Sequence, residues 1–473
     1  MNPLEAPVDD GVDLQHQQFA WQALTTHFGG MLPEHLASSR RQFPHHTRPE
    51  LQRALLRLLA PFAPRLLGLN QDHPTIPLKF PSLFKRGAGA FSHAISLAPV
   101  QSQEVEVGDE EIVAVFDNAL WLVTDGGQLK AAVLFEQHIQ TRVRQVASVE
   151  IVHLPSAAGN DFARRAFAEL EQAVRDSSLY RGKVLSLEDS EAYSGKPGGL
   201  MVHRLPPVAR EDLILPAATM KLLERNIFDF AHSRGALKAL HQSLQKGILL
   251  YGPPGTGKTH TIRYLASNLP GHTTLLISAD QVTQLDRYMS LARLLQPCMV
   301  VIEDVDLVGR DREEMRGPKE ESLLNRLLNE MDGLQPDAEI LFVLTTNRPE
   351  AIEGALSARP GRIDQAIEIA LPDAECRARL LRLYGARMRV PGEVIDHAVS
   401  RTEDVSSAFV KELVRRLAQE SIVRGTPGEV RMADLESVLH DMLQPGNELS
   451  QALLGARPRQ APREVRHVGN QCF

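Results

Sequence analysis

The stretch Gly247 to Thr259, Gly-Ile-Leu-Leu-Tyr-Gly-Pro-Pro-Gly-Thr-Gly-Lys-Thr, decides the fold of this chain. Ile248 to Tyr251 is a short apolar run bounded by glycines, which is typical of a strand buried on both faces. Beyond Thr259 the apolar side chains recur at helical spacing, at Ile262, Leu265, Ala266 and Leu269. The sequence therefore predicts a strand, a glycine loop and a helix, which is the context of a phosphate-binding loop.

The residues of this loop are suited to bind a nucleotide. Glycines allow the backbone N–H groups to turn inward around phosphates, and the helix that follows points its positive end toward them. Lys258 supplies a point charge for the β- and γ-phosphates, and the Thr259 hydroxyl is placed for Mg²⁺. The residues predicted to contact the nucleotide are Gly252, Pro253, Pro254, Gly255, Thr256, Gly257, Lys258, Thr259 and His260.

Polar side chains follow two later apolar runs. Glu303 and Asp304 end the run from Met299 to Ile302, and Asn347 follows the run from Ile340 to Leu344. Taken alone, acidic residues after a strand are as often solvated turn residues. In a doubly wound sheet, however, these strand ends meet beside the phosphate loop. We therefore expect one of the two carboxylates, with Glu303 as the candidate, to join Thr259 around Mg²⁺ and the other to orient or deprotonate the attacking water. Glu303 and Asp304 are both candidate catalytic residues, and Asn347 is expected to contact the γ-phosphate.

Two arginines lie three residues apart in Ala358-Arg359-Pro360-Gly361-Arg362. Arginines on a surface usually only increase solubility. Arginines supplied in trans to a γ-phosphate stabilise transition-state charge and increase the rate by about 10³–10⁵. Arg359 and Arg362 are therefore candidate catalytic residues.

Four motifs in order carry a resemblance to the AAA-family ATPases. They are residues 252–259, 323–334 (Leu-Leu-Asn-Arg-Leu-Leu-Asn-Glu-Met-Asp-Gly-Leu), 345–350 (Thr-Thr-Asn-Arg-Pro-Glu) and 358–364 (Ala-Arg-Pro-Gly-Arg-Ile-Asp), the last two resembling the family's second region of homology. The resemblance covers residues 212–440. It implies that Asn347 is the sensor residue, that Arg359 and Arg362 are arginine fingers, and that Asp332-Gly333-Leu334 is the inter-subunit signalling turn. It also implies a ring, usually of six subunits, that couples ATP hydrolysis to protein remodelling.

The sequence departs from the family pattern at three places. The usual Asp-Glu pair is reversed as Glu303-Asp304, which is similar to the branch of the mitochondrial complex III assembly ATPase; the membrane anchor of that relative is not found here. Asp304 is one methylene shorter than the usual Glu, so slow hydrolysis is expected. The segment from Asp280 to Cys298 lacks the aromatic-plus-glycine pore loop; Tyr288 or Leu285 replaces it, or Tyr288 simply packs in the core. Ser407-Ala408 replaces the usual Gly-Ala of the lid, with Ala408 retained.

The predicted fold class is α/β: a P-loop parallel-sheet ATPase domain with a small helical lid domain, preceded by an α+β N-terminal module. Within the N-terminal part, Leu51 to Leu69 is expected to be an amphipathic helix facing the core, with binding to a membrane surface as the alternative. The predicted domains are an N-terminal helical segment (1–75), the α+β module (76–205), a linker with a lead-in helix (206–246), the large ATPase domain (247–372), the lid (373–445) and a flexible tail (446–473).

Composition limits the classes of function. The 473 residues carry a net charge of −7 and only three cysteines, Cys298, Cys376 and Cys472. An odd number of widely spaced cysteines argues against a disulfide framework, and no uncharged run is long enough to span a bilayer. We expect a cytoplasmic protein that binds ATP or ADP with Mg²⁺, has no membrane partner and does not bind nucleic acid, because the charge is negative and basic-aromatic stripes are absent.

Two hypotheses of function follow. The preferred one is an ATP-hydrolysing homo-oligomer, a hexamer by resemblance, that remodels an unknown protein partner chosen by the N-terminal module. The alternative is a nucleotide-gated assembly scaffold or sensor with slow hydrolysis and no substrate threading; the reversed carboxylate pair and the missing pore aromatic favour it.

Overall fold

The computed structural model describes residues 18–70, 77–86, 94–108, 111–141, 144–176, 179–187, 200–308, 323–335, 337–350 and 361–443. The chain divides into two compact units, Met1–His203 and Arg204–Phe473.

The first unit is built on antiparallel strands. Its strands are β1 (Ala37–Pro44), β2 (Arg65–Leu69), β3 (Leu97–Ala98), β4 (Ser102–Gly108), β5 (Glu111–Phe116), β6 (Asn118–Thr124), β7 (Lys130–Thr141), β8 (Arg144–His153), β9 (Val184–Leu187) and β10 (Leu200–His203). Its helices are α1 (Ala20–His27), α2 (Arg48–Leu59), α3 (Phe80–Leu83) and α4 (Ala157–Arg175). Six strands form one sheet in the order β1-β8-β7-β6-β2-β3, and β4 pairs with β5. The unit is thus α+β, as the sequence predicts.

Two predictions about this unit are wrong. Residues 1–75 are not a separate helical segment, because β1 and β2 are strands of the same sheet as β6 to β8. The helix predicted from Leu51 to Leu69 also divides, since α2 ends at Leu59 and β2 begins at Arg65. Pro61 and Pro64 explain the division, because proline lacks the N–H that a continuing helix needs and disfavours helical geometry in the residue before it.

The second unit contains all the predicted nucleotide-site residues. Its strands are β11 (Lys246–Tyr251), β12 (Thr273–Ile277), β13 (Cys298–Ile302), β14 (Ile340–Thr346) and β15 (Gln365–Glu368). Its helices are α5 (Ala217–Leu223), continued by a π-helical segment (Glu224–Asp229), α6 (Phe230–His232), α7 (Arg234–Ala239), α8 (Lys258–Asn268), α9 (Leu285–Leu294), α10 (Val305–Val308), α11 (Leu323–Asp332), α12 (Ala374–Tyr384), α13 (Gly392–Arg401), α14 (Ser407–Val423) and α15 (Met432–Leu443).

The five strands β11 to β15 pair in parallel in the order β12-β13-β14-β11-β15. β11, β13 and β14 contain the apolar runs at residues 248–251, 299–302 and 340–344, at which the sequence predicts strands. Every residue of β13 and β14 is buried, because a parallel sheet is covered on both faces. Since β13, β14 and β11 are neighbours, the residues that follow their carboxyl ends come together at one edge.

Helices α12 to α15 enclose a core of their own, which includes Phe409, Leu413 and Leu439. This is the predicted helical lid. Ile214 also packs in the lid core, whereas Leu213 and Leu215 pack in the core of the sheet. The segment that leads into α5 therefore anchors the lid to the sheet.

None of the helices in the part of the chain that the structure describes is long and apolar enough to cross a membrane.

Candidate nucleotide-binding site

The loop between β11 and α8 depends on glycine at three positions. Gly252, Gly255 and Gly257 have φ angles of 148°, 77° and 105°, which L side chains rarely adopt. A Cβ on Gly252 would also collide with the carbonyl oxygen of Ile369. The loop thus reverses the chain tightly before α8, with its backbone N–H groups at the N-terminal end of that helix, where anions bind favourably.

Lys258 is the first residue of α8 and is only 8% exposed. Its Nζ donates hydrogen bonds to the carbonyl oxygens of Gly252, at 2.8 Å, and Pro253, at 3.0 Å. Burial lowers the pKa of Lys258, and the carboxylates of Asp304 and Asp306 act in the opposite direction. The ammonium group is therefore held against the inner side of the loop, where phosphate oxygens would meet it.

Thr259 and Glu303 form an oxygen pair suited to Mg²⁺. The Thr259 hydroxyl donates a hydrogen bond of 2.7 Å to Oε1 of Glu303, which joins the start of α8 to the end of β13. Hydroxyl and carboxylate oxygens are the ligands that Mg²⁺ prefers, and one or two protein ligands are usual when phosphates supply others. The residues present fit the ion that the sequence implies.

Asp304 is held by hydrogen bonds to two residues of the neighbouring strand end, Thr345 in β14 and Asn347 directly after it. Its backbone lies in the left-handed region, with φ of 52°, which is uncommon for residues other than glycine and least costly for Asp and Asn. The Asp304 N–H donates to Oγ1 of Thr345 at 3.0 Å, and Nδ2 of Asn347 donates to Oδ1 of Asp304 at 2.9 Å. The structure thus brings together two of the predicted catalytic residues, Asp304 and Asn347.

Asp306 is a third carboxylate at this edge that the sequence analysis missed. It is 6% exposed and lies in α10. Its Oδ1 accepts hydrogen bonds from Oγ1 of Thr346, at 2.8 Å, and from the N–H of Asn347, at 3.2 Å. The sequence shows only that three of the four residues Glu303-Asp304-Val305-Asp306 are acidic, which does not distinguish Asp306 from a solvated residue.

The remaining loop residues have local roles. Oγ1 of Thr256 donates to the carbonyl of Pro253 at 2.9 Å and so stiffens the loop. The exposed His260 forms a hydrogen bond of 3.2 Å with the carbonyl oxygen of Asp212, on the lead-in segment. His260 therefore lies beside that segment, and its contact with nucleotide stays a prediction.

The lid contacts the phosphate loop directly. The N–H of Ala408 donates to the carbonyl oxygen of Gly255 at 3.0 Å, at the start of α14. Ser406 caps the same helix, because its Oγ accepts from the N–H of Phe409 at 3.1 Å. The retained Ala408 thus connects the lid to the loop.

The two candidate arginines have different outcomes. Arg359 lies outside the described residues. Arg362 is paired within its own chain: its Nε donates to Oδ1 of Asp332 at 2.7 Å, and a second ion pair joins the same side chains. The Arg362 guanidinium is therefore hydrogen-bonded and ion-paired to Asp332, the last residue of α11, and the structure does not place it at the phosphate loop.

Neither candidate replacement for the pore loop is available to grip a substrate. Tyr288 and Leu285 both lie on α9 with 0% exposure, and the Tyr288 hydroxyl donates to Oε1 of Gln281 at 2.9 Å. The alternative in which Tyr288 packs in the core is correct.

Residues 248–371 match the model of the "ATPase family associated with various cellular activities (AAA)". The chain is 36% identical over 173 residues to the 26S proteasome regulatory subunit 10B of Dictyostelium discoideum, covering 34% of this chain and 43% of that protein. It is 31% identical over 245 residues to the ATP-dependent zinc metalloprotease FtsH 3 of Sphaerobacter thermophilus, covering 50% and 49%. It is also 30% identical over 242 residues to the cell division cycle protein 48 homolog of Archaeoglobus fulgidus, covering 49% and 33%. The chain thus spans less than half of the length of each of these relatives.

Proposed function

The chain carries an AAA ATPase domain at residues 248–371, and on that premise we propose that it binds ATP at the loop Gly252 to Thr259 and hydrolyses it. The observation that carries this proposal is the constellation at one sheet edge. Lys258, the Thr259–Glu303 pair and the Asp304–Asn347 pair all lie where β11, β13 and β14 end.

Binding is the work of the loop and of Lys258. The backbone N–H groups of the loop and the Nζ of Lys258 donate hydrogen bonds to the phosphate oxygens. For Lys258, these bonds replace the present ones to the carbonyl oxygens of Gly252 and Pro253. Thr259 and Glu303 would hold Mg²⁺, which neutralises charge on the β- and γ-phosphates.

Hydrolysis is the work of Asp304 and Asn347. The Asp304 carboxylate orients the attacking water and accepts its proton at an Oδ atom. The water oxygen bonds to the γ-phosphorus, the bond from the γ-phosphorus to the β–γ bridging oxygen breaks, and ADP leaves. The Asn347 amide, now donating to Asp304 at 2.9 Å, is within reach of the same region. Because Asp304 is shorter than glutamate, we expect slow turnover.

The active form in this proposal is a homo-oligomer, a hexamer by resemblance. Arg359 and Arg362 would supply positive charge to the ATP of a neighbouring subunit, with Arg362 oriented by its hydrogen bond to Asp332. The protein partner is unknown and would be chosen by the unit Met1–His203. One relative is by name a regulatory subunit of the proteasome, which supports a protein as the substrate.

A second function is favoured by a specific observation. Because Tyr288 and Leu285 are buried, neither of these two candidate side chains at the usual position of the pore loop can grip a threaded chain. A nucleotide-gated scaffold, in which ATP binding sets the oligomeric state and hydrolysis resets it, needs no such grip.

Specific ATPase activity measured against protein concentration, with Mg²⁺ and at fixed ATP, tests the proposal. Fingers supplied in trans require a neighbour, so activity per subunit should rise with concentration. Lys258→Ala should abolish ATP binding, and Arg359→Ala should retain binding and lose turnover. Undiminished turnover of Arg359→Ala would contradict the trans assignment. Flat, near-zero turnover with ATP binding intact would favour the scaffold.

A further inference from the structure

Asp306 is a buried carboxylate that is stabilised by hydrogen bonds from the end of β14. A carboxylate that is removed from water is costly unless hydrogen bonds compensate it. Here both compensating donors come from consecutive residues of one neighbouring strand end, the Thr346 hydroxyl and the Asn347 N–H. Asp306 therefore fixes the backbone at the point where β14 ends and Asn347 follows.

The same strand end is tied to Asp304 from the other direction. The Asp304 N–H donates to Thr345, and the Asn347 amide donates to the Asp304 carboxylate. The residues after β13 and the residues at the end of β14 are thus cross-linked by four hydrogen bonds, two through Asp304 and two through Asp306. The Asn347 amide is the member of this network that reaches the catalytic carboxylate.

We propose that Asp306 is a positioning residue, which fixes the backbone of Asn347 so that its amide discriminates a γ-phosphate and orients Asp304. This inference builds on the proposed function of the site. Asp306 itself is held in place by its contacts with Thr346 and Asn347 and acts only through Asn347.

Three substitutions separate this role from simple stability. Asp306→Asn preserves the size of the side chain and one oxygen acceptor but removes the charge. Thr346→Val removes one of the two donors while preserving the shape of a side chain with 0% exposure. Asn347→Ala removes the amide through which Asp306 is proposed to act.

The first measurement is a double-mutant cycle on turnover and on the affinities for fluorescent ADP and ATPγS. Asp306→Asn should lower turnover about tenfold, because hydrogen bonds to a charged group become weaker bonds to a neutral one. It should also lower the preference for ATPγS over ADP, with ADP affinity within about twofold of the wild type. In the Asn347→Ala background the same substitution should have no further effect on turnover. A further fall of similar size would overturn the inference, because Asp306 would then act by another route.

Asp434→Asn in the lid is the matched control. Asp434 is also a buried carboxylate, 8% exposed, and accepts a hydrogen bond of 2.8 Å from the backbone N–H of Arg431. Its substitution should lower the unfolding midpoint without changing the preference for ATPγS over ADP. An equal loss of that preference in Asp434→Asn would assign the effect of Asp306 to general stability.

A second cycle measures the hydrogen bond whether or not the protein turns over ATP. The unfolding free energies of Asp306→Asn, Thr346→Val and the double variant should be non-additive, and additive values would overturn the inference. Failure of the proposed function is distinguishable, because it appears in the wild type as absent turnover. If the wild type binds ATPγS and ADP without turnover, the first cycle is evaluated from the ratio of the ATPγS and ADP affinities instead of from turnover. If it binds neither, both the proposed function and this inference are wrong.

Discussion

Replacing Gly255 by alanine should weaken nucleotide binding through the backbone and through the lid at once. Gly255 has φ of 77°, a conformation that costs an L residue roughly 1–2 kcal/mol. A Cβ there would lie 3.0 Å from the Cβ of Ala408 and 3.0 Å from the Oγ of Ser406, closer than such atoms normally approach. Because these residues begin α14, the methyl group would press the loop away from the lid.

The magnitude follows from the backbone term. If the substituted loop relaxes from the left-handed conformation when it is empty, binding must restore that conformation, and roughly 1–2 kcal/mol corresponds to a loss of about 5–30-fold in affinity. The contact with Ala408 and Ser406 adds to this loss, so we expect the upper part of the range. Fluorescence anisotropy of a labelled ADP measures it without requiring turnover.

Gly271→Ala is the matched control for this experiment. Gly271 has φ of 75°, and a Cβ there would have nothing within 4 Å. It should therefore destabilise the fold by a similar backbone term while leaving ADP affinity unchanged. Wild-type affinity in Gly255→Ala, or an equal loss in Gly271→Ala, would refute the reasoning from loop geometry.

Two further predictions concern charge pairs in the same unit. Asp332→Ala should leave ADP affinity within about twofold and reduce turnover at high protein concentration about tenfold, because Arg362 loses the hydrogen-bonded partner that orients it; unchanged ATPase activity would contradict this. Glu412→Gln should lower the unfolding free energy at pH 7 by about 0.5 kcal/mol, since exposed pairs contribute little. Hydrogen bonds from Arg415 lower the pKa of Glu412, burial raises it, and a hydrogen bond from Arg416 lowers it further, so that the pKa is about 2. The carboxylate therefore stabilises the fold above its unfolded pKa, and the difference between variant and wild type in urea unfolding should vanish as the pH falls through about 2. A difference that persists below that pH would exclude the charge as its source.

The residues of the candidate nucleotide site could be brought together from sequence because their pattern is local. The phosphate loop needs its glycines, Lys258 and Thr259 within a few positions, and an apolar run before them identifies the strand. Asp304 and Asn347 could be placed beside it because parallel strands end at one edge. Asp306 could not, since its role depends on burial against Thr346 and on a hydrogen bond to a backbone N–H. Neither is written in the spacing of residue types.

The first unit was harder to predict because its strands do not alternate clearly. β1 reads Ala-Ser-Ser-Arg-Arg-Gln-Phe-Pro, a polar segment that pairs with β8 at the edge of the sheet formed by the described residues. Arg40 is suited to a strand because two glutamates accept its hydrogen bonds: Oε2 of Glu150 on the adjacent β8, at 3.2 Å, and Oε1 of Glu136 on β7, the next strand beyond it, at 2.5 Å. Ion pairs across strands, here with buried carboxylates and a half-buried arginine, remove the apolar signal that identifies a strand from sequence.

The geometry of the catalytic edge bears on which of the two candidate functions is the better one. A shorter Asp304 must be oriented more tightly to hold a water, and the four hydrogen bonds that join β13 to β14 provide that constraint. Such a network is useful to an enzyme and of little use to a scaffold that only binds ATP. The burial of Tyr288 and Leu285, in contrast, leaves neither of these two candidate side chains able to grip a substrate. The combination favours the proposed ATPase over the scaffold. Under our proposal the unit Met1–His203 chooses the partner, so removal of that unit should abolish the response to a partner before it abolishes turnover.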